Sequence, residues 1–197
     1  MADSDILKIV KEDILRILAE EKRVSLDSIK TKVKVSSFFI SKVLEELERK
    51  KLIEIEGNFI KLTEIGQKES KDVLKKHLVL EEYFKKTLDE RAAHRKAHVL
   101  EHYVSEEVIR NIKKLHTFEE RGIPLTEFKL HTEGLISDIN ILDDELFERI
   151  VSMGIFPGEE IKIVNEIPNG IVIVVKNKKF VLDKNIAKEI KILGSRG

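Results

Sequence analysis

Cysteine and tryptophan are absent from this 197-residue chain, and only three prolines and nine glycines occur. Without cysteine there is neither a disulfide framework nor a thiolate metal ligand. A metal could be held only by imidazole and carboxylate, which excludes zinc-ribbon and iron–sulfur readings. Long apolar runs are also missing: a stretch such as Ile171 to Val175 is far too short to cross a bilayer. The opening Met1-Ala2-Asp3-Ser4-Asp5 is acidic and lacks the basic lead-in of a secretion signal, so a cytoplasmic protein without membrane association is expected. Net charge is missing too, because 36 basic and 36 acidic side chains cancel. No global attraction to a polyanion follows.

Local charge is more informative. Between Asp27 and Glu45 there is no acid, while Lys30, Lys32, Lys34 and Lys42 fall in that interval. Around it the hydrophobic period changes in a telling order. Ile6 to Lys22 carries Ile6, Ile9, Val10, Ile14, Ile17 and Leu18 near one stripe, which predicts an amphipathic helix. Ser25 can cap a short second helix with Leu26, Ile29 and Val33, and Ser36-Ser37 can cap a third with Ile40, Val43, Leu44 and Leu47. Leu52 to Glu56 and Phe59 to Leu62 then read as strands around a Gly57-Asn58 turn. Helix, short helix, turn, helix and hairpin make a winged helix-turn-helix, whose third helix enters the DNA major groove. On that expectation Lys30, Lys34, Ser36, Ser37, Phe38, Phe39, Ser41 and Lys42 form the DNA-facing set. Phe38 and Phe39 could pack inward, touch thymine methyls, or mark a surface for another partner.

From about Glu69 to Lys114 the pattern is almost continuously helical. Leu74, Leu78, Leu80, Tyr83, Phe84 and Leu88 make one apolar set, and Val99, Leu100, Tyr103, Val104, Val108 and Ile109 a second, suited to dimerisation. Arg121-Gly122-Ile123-Pro124 breaks the pattern, and strands follow around a helix capped by Asp143 and stopped at Gly154. The expected architecture is mostly α with small β: a winged helix-turn-helix at 1–73, a helical metal-binding and dimerisation domain at 74–122, a linker at 123–130, and a small β-barrel at 131–197.

Four of the six histidines lie between positions 77 and 102. His94, His98 and His102 recur at i, i+4 and i+8 on one helix stripe with Glu101 beside them, and His77 and Glu81 form another i, i+4 pair. Four imidazoles and two carboxylates on paired helices suffice for one or two divalent transition-metal sites. His116 and His131 have no such company and read as surface residues.

The string His98-Val99-Leu100-Glu101-His102-Tyr103-Val104-Ser105, preceded by His94 and His77-x-x-x-Glu81, resembles the metal-binding core of the DtxR/MntR family of metal-dependent repressors. Leu62-Thr63-Glu64-Ile65-Gly66 is similar to that family's Leu-Thr-x-x-Gly. Met153 to Gly158, Pro168-Asn169-Gly170 and Ala187 resemble the SH3-like FeoA domain of its three-domain members. The resemblance implies a homodimeric repressor of metal homeostasis, not an enzyme, reading an inverted-repeat operator in double-stranded DNA. It also implies a primary site of His98, Glu101 and His102 and an ancillary site of His77, Glu81 and His94. A further primary ligand comes from the first helix, with Asp13 or Glu12 the candidate and Val10 the gap-free match. At the position of His98 the family carries cysteine or methionine in iron-responsive members and glutamate in manganese-responsive ones. Fe²⁺ is expected first and Mn²⁺ next, with Zn²⁺, Co²⁺ or Ni²⁺ able to bind in vitro. The competing readings are a winged-helix regulator responding to an organic ligand or protein partner, and a metalloenzyme built on the same cluster, against which stands the lack of a nearby nucleophile or second acid–base pair.

Overall fold

The computed structural model describes residues 3–117 and 122–194. Arg121 and the side chain of His116 lie outside the described residues. The chain divides into two compact units, Met1–Leu78 and Val79–Gly197.

The first unit contains α1 (Asp3–Glu21), β1 (Arg23–Ser25), α2 (Leu26–Lys32), α3 (Ser37–Arg49), β2 (Ile53–Glu56), β3 (Phe59–Leu62) and the start of α4 (Glu64–Phe84). Its core is the expected one: Val10, Ile14, Ile17 and Leu18 of α1 bury against Ile29, Ile40, Val43 and Leu47. Ser25 caps α2, its hydroxyl accepting from the Ser28 amide at 3.1 Å. Ser36 occupies the cap position of α3 but makes no side-chain cap hydrogen bond, so its hydroxyl is not committed to the helix end as the sequence suggests. The hairpin forms as read, and a third strand joins it: β1 pairs antiparallel with β3, giving the order β1-β3-β2. Three residues are too few to show a period, which is why β1 escapes sequence reading.

The second unit joins helices to a sheet around one core. The helical stretch is interrupted without glycine or proline. After α4 come α5 (Glu90–Leu100) and α6 (Glu106–Thr117). Asp89 starts α5, its carboxylate accepting from the Ala92 amide at 2.9 Å. Then β4 (Ile123–Pro124), a 3₁₀ turn, β5 (Glu133–Ile139), α7 (Asp144–Ser152), β6 (Glu160–Ile167), β7 (Gly170–Val175), β8 (Lys178–Asp183), α8 (Lys184–Ala187) and β9 (Ile190–Gly194) build an antiparallel sheet ordered β4-β9-β5-β6-β7-β8. Register shifts between Ile136 and Asp138 and between Ile163 and Asn165 are the bulges that bend such a sheet. Asp143 caps α7 as expected, accepting from Leu146 N at 2.7 Å.

Leu80, Phe84, Ala93, Ala97, Leu100 and Ile112 of the helices share one buried cluster with Ile136, Phe147, Phe156, Ile161 and Ile173 of the β module. Phe84 meets Phe147 edge to face, their centroids 6.1 Å apart. Tyr83 donates its hydroxyl proton to the Ser137 carbonyl, and Asn111 Nδ2 donates to the Gly158 carbonyl at 3.0 Å. Among the described residues no helix is long and apolar enough to cross a membrane.

Candidate metal centre and nucleic-acid interface

The spacing of His94, His98 and His102 predicts one uninterrupted helical stripe, but α5 ends at Leu100. Glu101 is the C-cap and stays in the helical region, its amide donating to the Ala97 carbonyl at 2.9 Å, and His102 follows in a turn. The turn keeps His102 close to His98 nonetheless, their rings perpendicular with centroids 5.6 Å apart. His102 Nε2 lies 3.7 Å from Glu101 Oε1, and both side chains are almost wholly shielded from solvent. Ligating atoms of His98, Glu101 and His102 all fall within 4.8 Å of one another. A carboxylate buried against imidazoles is stabilised by a cation between them, and two nitrogens with one oxygen suit a borderline divalent ion. The donor set therefore fits a transition metal.

α5 reaches this position because its two faces differ. Ala93, Lys96, Ala97 and Leu100 are buried against the shared core, while His94 stays exposed and His98 half-exposed. His77, 1% exposed, lies one helical turn before Glu81 on α4. Glu81 Oε2 is 3.4 Å from His94 Nδ1, and Glu81 Oε1 is 2.7 Å from Lys85 Nζ. The hydrogen bond to Glu81 is the main cause of an upward shift in the Lys85 pKa. Glu81 is thus shared between a cation already in the chain and a histidine.

On α1, Asp13 is 6% exposed and lies 3.9 Å from Arg16 Nη2. Glu12 is more exposed and sits 4.0 Å from Lys8. Val10, the gap-free match, is fully buried in the apolar core.

Of the DNA-facing set, Lys30 on α2, Lys34 in the turn that follows it, and Ser36, Ser37, Phe38, Ser41 and Lys42 at the cap and first turns of α3 are exposed. Phe39 is half-buried against the core of the first unit, so the two phenylalanines divide their roles. Phe38 is 67% exposed, edge-on to Phe39 at 5.5 Å, with Lys42 Nζ 5.9 Å from its ring centroid. No acid lies in the first turn of α3.

Two model families match the chain: residues 63–121 match the iron dependent repressor metal-binding and dimerisation domain, and residues 123–193 match the FeoA domain. The chain belongs to the DtxR/MntR family of metal-dependent transcriptional repressors. Among solved structures, IdeR of T. acidophilum is 20% identical over 99% of both chains, with a TM-score of 0.44. A manganese-dependent transcriptional repressor in complex with manganese is 19% identical over 93% of this chain and 99% of its own, with a TM-score of 0.47. An iron uptake regulatory protein (FeoA) is 31% identical over 36% of this chain and 92% of its own, with a TM-score of 0.31. No curated protein matches the chain.

Sequence reading of this family member missed Lys96, a lysine on the buried face of α5 at 4% exposure. Its position between Ala93, Ala97 and Leu100 at helical spacing was the available signal. Burial is the main cause that pushes its ammonium pKa down, offset in part by Asp144 and Asp138.

Proposed function

We propose that the chain is a cytoplasmic, homodimeric repressor that binds operator DNA in response to Fe²⁺ or Mn²⁺, and that it is not an enzyme. The observation that carries this reading is the close-set, shielded trio His98, Glu101 and His102 within the segment that matches a repressor's metal-binding domain. These three hold the primary ion, and His77 and Glu81 of α4 with His94 of α5 hold the ancillary one. A bound ion supplies positive charge that draws the donors together. Imidazole nitrogens and carboxylate oxygens supply the lone pairs.

α3 presents Ser36, Ser37, Phe38, Ser41 and Lys42 to the major groove of an inverted-repeat site, with Lys30 and Lys34 neutralising phosphate. The bound state must be favoured by about 5.5 kcal/mol to move a population from 1:99 to 99:1, a demand that one tight ion per protomer can meet. The test uses duplexes selected from a random library by Mn²⁺-loaded protein, followed by gel-shift titration with Fe²⁺, Mn²⁺, Co²⁺, Ni²⁺, Zn²⁺ and chelator. Retention that depends on metal is expected. Equal binding in chelator would overturn the proposal.

A further inference from the structure

Lys96 stands in the middle of the helix that carries His94 and His98, yet its side chain turns away from them into the shared core. Its ammonium donates to the backbone carbonyl of Ile141 and lies 4.1 Å from the centroid of the Phe147 ring. Both partners belong to the β module, one just before α7 and one on it. Beside it, Arg95 Nε meets Asp144 Oδ2 at 3.2 Å. A cation at this depth is costly, and an unbranched apolar chain of similar length would fill the same space at less cost. What the ammonium adds is direction. A carbonyl hydrogen bond and a ring face together fix the rotation and axial position of α5, which a methylene contact leaves loose.

Because His94 rides on α5 while Glu81 stands on α4, 3.4 Å from it, that rotation sets how closely these two donors converge. We infer that Lys96 is a positioning residue that couples the metal centre to the FeoA module: it holds α5 in the orientation that binds metal, and metal in turn braces the start of α7. Coupling of this kind is reciprocal, so each end must sense the other. The inference rests on the metal reading above and extends it to a module whose part in sensing no donor residue discloses.

The test compares the full chain with K96M and F147L in three measurements: melting of chelator-treated protein, Mn²⁺ titration by calorimetry, and hydrogen exchange with and without Mn²⁺. K96M is expected to melt at or above the parent temperature, yet to bind Mn²⁺ roughly fivefold or more weaker, the lower range of coupling between protein sites. In the parent, Mn²⁺ slows exchange of the amides of 144–147; in K96M that protection is lost. F147L keeps the carbonyl hydrogen bond and gives a smaller loss of affinity. Parent-like Mn²⁺ affinity and protection in both variants would overturn the inference, and a large fall in melting temperature or failure of K96M to fold would assign Lys96 to stability alone. Absence of Mn²⁺ binding by the parent would instead refute the metal reading itself.

Discussion

Replacing Gly158 by alanine probes the seam between the helices and the FeoA module. Gly158 has φ +86°, and a Cβ there would lie 2.8 Å from Ile112 Cγ1 and 2.9 Å from the Val108 carbonyl oxygen on α6. Its amide donates to the Ile136 carbonyl at 2.8 Å, so the turn is pinned and has little room to retreat. Two costs add: about 1–2 kcal/mol for a left-handed conformation and about 1–3 kcal/mol for overpacking against backbone. Gly154 supplies the control. It has φ +90°, but the nearest atom to its Cβ would be Lys176 Cδ at 3.4 Å, so only the conformational cost applies. The expected losses centre near 3.5 and 1.5 kcal/mol, roughly 4–8 °C apart in melting temperature for a chain of this size. Circular dichroism melts of chelator-treated G158A and G154A measure the gap. Equal melts, or a G158A that melts with the parent, would refute the close approach of this turn to α6.

Other outcomes follow from the two sites. H98A should lose more Mn²⁺ affinity than the ~100-fold upper range for an outer-shell partner, measured by calorimetry, with its winged helix intact by circular dichroism. K85M frees Glu81 from its lysine and should tighten binding at the second site by a few-fold, a gain that shrinks at high salt because the lysine end of the pair is exposed. F38A should leave stability within ~0.5 kcal/mol, since the ring is exposed, yet weaken binding to the selected duplex by roughly fivefold. Replacing thymine by uracil across that duplex should reproduce the loss in the parent and add nothing in F38A.

The legible features were those written locally. Periodicity placed α1 to α3, and Ser25 and Asp143 marked true caps because a hydroxyl or carboxylate one residue before a helix has few other tasks. The four-residue spacing of His98 and His102 brought them together even though the helix stops between them, since a turn continuing from a helical cap preserves one more repeat. Less legible were features that depend on distant partners. The ends of α4 and α5 carry no glycine or proline, and the apolar pattern runs through both, so only tertiary packing ends them. Ser36 looked like a cap and makes no cap bond. Lys96 reads as a surface cation until the carbonyl of Ile141 and the ring of Phe147 are set against it.

The core common to the helices and the FeoA module makes the two halves poor candidates for separate lives. A chain ended after α6 would turn Phe84, Ala97, Leu100 and Ile112 toward water, and a freed β module would do the same with Phe147 and Phe156. Apolar faces of that kind adhere to one another and to other proteins. A chimaera that borrows the FeoA half of a relative must therefore import the matching flanks of α4, α5 and α6, or start with a surface that sticks.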